Sequence, residues 1–532
     1  MTLFPPVRQR NRRDSYSSAV SENETADLRH FGYAQQLHRS IGTYGSFAAG
    51  FSFVSILTTI FQLFAFGFAF GGPAFFWTWP IVFLGQITVA LCFSELAARY
   101  PISGAIYQWS TRVGGNLWGW MAGWLMIVAQ IVTVAAAAIA LQVVLPAVWS
   151  GFQIVDGTAQ NAVLLGSILL VFTTAVNAFG IRAMSLINTT GVTCELIGVT
   201  LLCIALFSHA KRGPGVVLHT GTGVGHGTGY LWSFIISALM AAYVLVGFDS
   251  AGELSEETKR PRHTAPRTIV RALVVSGIGG AAMLLATLMA APSVTDGSLG
   301  DPTKGLPYVL TSRLGDTLGR VFLVDVAIAV CVCTLAIQTA ATRMIFSMAR
   351  DRVLPFSKGL SRVNPRTGTP IWPAIVVGVL TVAVLAVNVG NSSVFLALSS
   401  VCIMLLYIAY LMVTGPLLMR RLKGWPGSVD AQFAGEGKLF SLGRWGIPLN
   451  MIAVGWGACM AINLGWPRAK VFGTDWYLQY FPELFLAGTV LVGAAAYFRQ
   501  RTENRREAAA LDPFPGRSSV LVDGIEGAEA SA

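Results

Sequence analysis

Apolar runs, each about as long as a helix that crosses a bilayer, recur along this chain and are separated by short polar links. At 1.5 Å per residue, the hydrocarbon core takes about 20 mostly apolar residues. Twelve segments meet that length: 46–70, 74–98, 115–148, 160–179, 184–208, 229–252, 267–292, 319–349, 371–389, 393–419, 444–465 and 476–498. The third and eighth are long enough to predict tilted helices. Short hairpins join most neighbours, which leaves no room for a soluble domain between spans. Residues 1–45 and 499–532 are polar and read as mobile tails around a transmembrane domain over 46–498.

Composition narrows the class. Of 532 residues, 54% are hydrophobic and 12% charged, and mean hydropathy is +0.61. A soluble domain carries about 25% charged residues, so a soluble enzyme, a disordered protein and a nucleic-acid binder are excluded. The net charge of +11 is a matter of sidedness. Counted with the first few residues of the spans they lead into, the loops after even-numbered spans and the two tails hold 29 Lys and Arg, the loops after odd-numbered spans hold 7, and Arg343 lies deep within span 8. That asymmetry predicts a multi-pass protein of a plasma or inner membrane with both termini cytoplasmic. The seven cysteines lie in apolar runs and read as packing residues. No His pair has metal-ligand spacing beside a third ligand, and no Walker sequence follows a strand-like run. Neither a metal nor a cofactor is expected.

Two spans carry signs of interruption. Span 1 has the cluster Thr58-Thr59-Ile60 at mid-span, and hydroxyl side chains there can satisfy backbone groups freed by a break. The alternative is a continuous helix whose Ser and Thr bond back to the preceding turn. Span 6 carries Gly247-Phe248-Asp249 and Gly252-Glu253 in its inner half. Glycine weakens a helix by about 1 kcal/mol, and an acid within a membrane is a functional candidate. The alternative is a kinked helix whose acid is near the surface. Spans 1 and 6 head two five-helix blocks, 46–208 and 229–419, with extra helices over 444–498. Matching placement of two broken helices is what an inverted repeat produces.

At these residues the sequence resembles the amino acid–polyamine–organocation superfamily, in particular the amino acid/choline permease branch that includes GABA permeases. The resemblance runs from about residue 28 to 498. It is carried by Leu28 to Arg39 before span 1, Gly71-Gly72-Pro73 after it, Glu95 to Tyr107 between spans 2 and 3, Gly247 to Glu257 in span 6, and Met348 to Pro355 at the end of span 8. It implies an all-α fold of twelve transmembrane helices: a 5+5 inverted repeat with broken helices 1 and 6, plus two C-terminal helices. It further implies that backbone N–H groups of Leu57, Thr58 and Thr59, next to Ile56, bind a substrate carboxylate. Carbonyls of Tyr243, Val244 and Leu245, beside Gly247, would accept from an amine, and the Tyr243 ring would close over it. The sequence departs from the superfamily where a glycine-rich run is replaced by Leu57-Thr58-Thr59, which leaves room for amines or ω-amino acids.

Among intramembrane polar residues, Glu195 is the most informative. It lies eleven residues into span 5, roughly 17 Å along the helix and so near mid-membrane. In the resemblance, this position is where some proton-coupled relatives carry a lysine that touches helix 1. A coupling role for Glu195 stands against a packing role for a protonated carboxyl. For Asp249, gating or proton relay stands against capping. Gln130 in span 3 is a candidate cavity residue or helix–helix glue, and Asp325 is expected in a solvated vestibule. Glu253, Glu256 and Glu257 stand either in an ion-pair gate with Lys259 and Arg260 or in a solvated loop. The reading is a secondary permease for amino acids or related amines such as GABA, with H+ as coupling ion and the bilayer and the small-molecule substrate as partners. A choline or polyamine carrier, an amino-acid exchanger and, from another class, a membrane-embedded nutrient sensor are the alternatives. A membrane enzyme would need convergent His, Asp or Glu at the midplane, and a 6+6 facilitator a long central loop; neither is seen.

Overall fold

The computed structural model describes residues 28–511 except 30, 222–227, 296, 303, 391 and 428–438. Among the described residues the chain is all-helical, and its one β-bridge pairs Ile41 with Thr258. Nine helical stretches among the described residues are long and apolar enough to cross a membrane. One of them, Thr43–Arg99, folds into two spans at the short helix Gly72–Trp77. With the shorter apolar helices Gly229–Val244 and Ile371–Val387, the twelve expected spans are accounted for. At the fold of that first stretch, Gly72 has φ +58°, and a Cβ there would come within 2.0 Å of the Thr220 carbonyl oxygen. The Gly-Gly-Pro turn is therefore a place where only glycine lets two segments meet.

Both expected breaks are present. Span 1 is divided into α1 (Thr43–Val54) and α2 (Ile56–Gly71). The break lies at Ser55, in the left-handed region with φ +33°, three residues before the Thr58-Thr59-Ile60 cluster that pointed to it. The hydroxyls do not interrupt the helix; they close its new end. Ser55 Oγ and Thr58 Oγ1 are 2.7 Å apart, and Thr59 Oγ1 donates to the Ser55 carbonyl at 2.8 Å. Continuing in chain order, α3 is Thr78–Arg99, α4 Ala105–Gly114, α5 Asn116–Ile139, α6 Leu141–Val148, α7 Thr158–Phe179 and α8 Ile181–Ser208. Span 3 is thus α5 and α6 in succession. Span 6 comprises α9 (Thr228–Val244) and the single turn α10 (Ser250–Glu253), separated by Leu245 to Asp249.

The second block continues with α11 (Pro261–Ala290), α12 (Gly305–Arg350), α13 (Ile371–Gly390) and α14 (Ser392–Leu422), followed by α15 (Gly446–Gly465) and α16 (Phe481–Leu511). Gly315 has non-helical angles inside α12, so a short helix precedes the membrane-crossing part of span 8. Counterparts of the two blocks pack on one another: α2 on α9, α3 on α11, α5 on α12 and α7 on α13. This is the 5+5 arrangement, with its broken helices meeting at the centre.

Both described ends lie on one face of the bundle. Asn504 Nδ2 donates to the Arg352 carbonyl at the end of α12, and residues 31–41 cross that same end. The expectation of a mobile tail up to residue 45 does not hold for this segment. Leu28, Leu37 and Ile41 are buried, and the amides of Ser40 and Ile41 both donate to the Glu257 carbonyl. Tyr33 Oη donates to Asp351 at 3.1 Å, and the Arg350 guanidinium lies 4.1 Å over its ring. Burial and the charge of Asp351 push the Tyr33 hydroxyl up to about 12. Residues 1–27 and 512–532 lie outside the described residues.

The same face holds buried ion pairs. Glu256 pairs with Arg350 at 2.9 Å and Glu257 with Arg343 at 3.0 Å. Both partners come from α12, not from Lys259 and Arg260 in the loop, and neither acid is solvated. Glu95 pairs with Arg421, lies 3.6 Å from Arg99, and accepts from Ser441 and from the Leu442 amide. Glu95→Ala should therefore leave the Arg421 guanidinium buried without its counterion and cost roughly 3–5 kcal/mol. Glu503→Ala removes the partner of an exposed pair and should change little. Thermal denaturation of the detergent-solubilised protein compares them, and equal midpoints would contradict the assignment of Glu95 as a structural anchor.

Candidate substrate and coupling site

The break in span 1 is closed by a side chain from α8. Glu195 is 1% exposed, and its Oε1 accepts from Ser55 Oγ at 3.0 Å and from the Leu57 amide at 3.1 Å. That amide is in the first turn of α2, where unpaired N–H groups and the helix dipole attract negative charge. A carboxyl of the protein thus occupies the position expected for a substrate carboxylate. Of the three amides expected to bind one, Leu57 is committed to Glu195 and Thr59 to the Ser55 carbonyl at 3.0 Å. The Thr58 amide has no partner among the described residues. Glu195 Oε2 is buried and also lacks one. Asp325, expected in a solvated vestibule, is half-buried on α12 and packs where a Cβ on Gly198 would be, one turn along from Glu195.

The break in span 6 is held open by two tyrosines of α14. The Gly247 amide donates to Tyr410 Oη at 3.0 Å, and the Tyr410 hydroxyl donates in turn to Asp249 Oδ1. Tyr407 Oη accepts from Gln86 at 2.8 Å and donates to the Ala242 carbonyl at 3.4 Å. Neither tyrosine was singled out from the sequence. The available signal was two hydroxyl-bearing aromatics three residues apart inside the apolar run of span 10, which share a helix face. Of the three carbonyls expected to accept from an amine, Val244 takes the Val246 amide at 3.0 Å. Those of Tyr243 and Leu245 have no partner among the described residues. The Tyr243 ring is partly buried beside them.

The two breaks adjoin. Gly247 has φ +87°, and a Cβ on it would come within 1.8 Å of the Phe53 ring in the last turn of α1. Ser250 Oγ donates to the Ala49 carbonyl at 3.0 Å. Leu57, Thr58 and Glu195 at one break and Tyr243, Leu245 and Gly247 at the other therefore form one centre, next to buried Ile56 and Thr59. Gln130 lies elsewhere: its Nε2 donates to Glu253 Oε1 at 3.2 Å, on α10. A small cavity between α1, α8, α10 and α12 is lined by Ala49, Asn188, Ser250 and Thr339 among others, and none of the expected substrate-binding residues faces it.

Electrostatically the centre is one-sided. Glu195, Asp249 and Glu253 are buried, and none is in an ion pair among the described residues. No group of three His, Cys, Asp or Glu among those residues could hold a metal ion. Tyr410→Phe should leave both the Gly247 amide and an Asp249 oxygen unsatisfied, at a cost of roughly 1–3 kcal/mol. Tyr407→Phe leaves the Gln86 amide and the Ala242 carbonyl unsatisfied but takes no donor from a carboxyl, and should cost less. Their thermal midpoints give the order, and a Tyr410→Phe midpoint equal to that of the unsubstituted protein would contradict the role assigned to this hydroxyl.

The sequence profile described as amino acid permease matches residues 38–492, which include both breaks and Tyr410. An amino-acid permease BAT1 homolog of Oryza sativa subsp. japonica is 27% identical over 504 residues, covering 88% of this chain and 92% of its own length. Amino-acid permease BAT1 of Arabidopsis thaliana is 27% identical over 496 residues, covering 89% and 94%. Thiamine transporter thi9 of Schizosaccharomyces pombe is 25% identical over 434 residues, covering 73% and 72%.

Proposed function

The chain belongs to the amino acid permease family, and from that premise we propose that it is a proton-coupled secondary transporter of amino acids or related amines such as GABA, working by alternating access. The observation that carries this reading is the Glu195 carboxyl on the Leu57 amide. An ionised Glu195 satisfies the positive end of α2. Once protonated it loses most of that attraction, and a substrate carboxylate takes over the amides of Leu57 and Thr58. Proton and substrate then favour each other's binding, and the coupling is reciprocal. The substrate amine turns to the free carbonyls of Tyr243 and Leu245, with the Tyr243 ring over the ammonium. At the end of α2 one carboxylate replaces another and the proton stays on Glu195, so with a zwitterionic substrate the site gains the single positive charge of the proton.

The sorting of Lys and Arg supports an orientation with both termini in the cytoplasm of a plasma- or inner-membrane protein. A second reading, a carrier of cationic amines such as choline, polyamines or thiamine, is supported by three buried carboxyls without a counterion. The purified protein in liposomes, offered labelled amino acids, GABA, choline, polyamines and thiamine under imposed proton or sodium gradients, distinguishes the two. Proton-driven accumulation of a carboxylate-bearing amine is the expected result. Accumulation of cations alone would transfer the reading to the second. Glu195→Gln should abolish proton-driven accumulation while leaving substrate exchange in place, and unchanged accumulation would refute the coupling role.

A further inference from the structure

A second buried acid site stands apart from Glu195. Asp249 precedes the single turn α10 and Glu253 ends it, and the Glu253 amide donates to the Asp249 carbonyl at 3.1 Å. Residues four apart on a helical turn share a face. Each carboxyl is held at one oxygen by a neutral side chain: Asp249 by the Tyr410 hydroxyl from α14, Glu253 by the Gln130 amide from α5. The other oxygen of each is buried without a partner. So is Gln130 Oε1, the carbonyl end of the very amide that holds Glu253, and Gln130 is 0% exposed. Ser250 and Leu254, each one residue further on, line the small cavity instead, so the acids face a different side of the turn.

Charge on the surrounding elements does not compensate them. On α12, Arg343 and Arg350 are engaged by Glu257 and Glu256. On α11, Arg262 donates to the carbonyls of Ala98 and Arg99, and His263, Arg267 and Arg271 are exposed. On α4, Arg112 lies over the Phe31 ring, Tyr107 is bonded to Asp351, and the Trp109 ring packs against Gly252. The facing part of α1 contributes the Ala49 carbonyl, which is taken by Ser250. Two ionised carboxylates at this spacing, out of water and without a cation, would bear both the desolvation cost and mutual repulsion. Three uncommitted oxygens, two from acids and one from an amide, suit a single shared proton better than a metal ion, which takes more oxygen ligands.

We propose that Asp249 and Glu253 hold one proton between them, forming a second proton site on the moving half of span 6. One carboxyl is the neutral acid and its O–H donates to an uncommitted oxygen, while the other remains ionised on its tyrosine or glutamine donor. When α10 shifts against α5 and α14, the donors from Gln130 and Tyr410 are lost together, and the proton leaves to whichever aqueous face α10 then opens to. That last step rests on the transporter reading; occupancy by the proton does not.

Infrared spectroscopy of the purified full-length Glu195→Gln protein at neutral pH tests occupancy without any substrate. A protonated-carboxyl band should be present, should shift in D2O, and should be lost equally on adding Glu253→Gln or Asp249→Asn. Loss with only one of the two would assign the proton to a single acid, and loss with neither would remove the site; both results overturn the proposal. Replacing choline chloride by sodium chloride should leave the band unchanged, and its loss would make the pair a metal-cation site, again overturning the proposal. Should either substitution prevent folding, Gln130→Leu keeps both acids and must still displace the band, and an unmoved band there would count against the proposal.

Discussion

A helix that stops inside hydrocarbon leaves amides and carbonyls that no water can satisfy, and each one left bare costs several kcal/mol. The centre of this protein is organised by that requirement. At Ser55 the freed amide of Leu57 is met by the Glu195 carboxyl, and the hydroxyls of Ser55, Thr58 and Thr59 close the rest of the turn. At the break in span 6 the freed amide of Gly247 and the carbonyl of Ala242, in the last turn of α9, are met by the hydroxyls of Tyr410 and Tyr407. The groups that remain open, at Thr58, Tyr243 and Leu245, are those an amino acid could fill.

The distribution of buried charge follows a related division. On the face that carries both described ends, each buried acid discussed above has a guanidinium: Glu95 with Arg421, Glu256 with Arg350, Glu257 with Arg343. The Glu95–Arg421 pair joins the two five-helix blocks, the other two tie the end of span 6 to α12 within the second block, and the segment around Tyr33 and Ile41 is laid over them. At the broken helices the acids have neutral partners instead. A counterion would fix their charge permanently. Serine, tyrosine, glutamine and backbone donors allow the charge to change, which is what the proposed proton-linked cycle requires.

Span number, the pairing of spans 1 and 6 and the glycine-proline turn were all legible in the sequence, because length, hydropathy and glycine placement act locally. The position of the first break was legible only to within three residues. Hydroxyl side chains mark helix ends and helix interiors alike, and only the tertiary contact with Glu195 decides between them. The partners of Glu256 and Glu257 were not legible either: their arginines are some 90 residues away, whereas Lys259 and Arg260 are adjacent. The order of residues 31–41 was hidden by composition, since a polar strap on a polar face reads like a mobile tail. Glu195 stood out because an acid at mid-span is costly, yet its hold on a backbone amide could not be read from span 5 alone.

The central claim is that Glu195 takes up a proton as substrate binds, the substrate carboxylate replacing its carboxylate on the Leu57 amide. Titration calorimetry tests it most directly. The amine that accumulates best is bound to the purified protein in buffers of differing ionisation enthalpy. The account predicts a heat that varies with the buffer, in the sense of proton uptake on binding, and that ceases to vary in the Glu195→Gln protein. Binding to the unsubstituted protein with a heat independent of the buffer would contradict it.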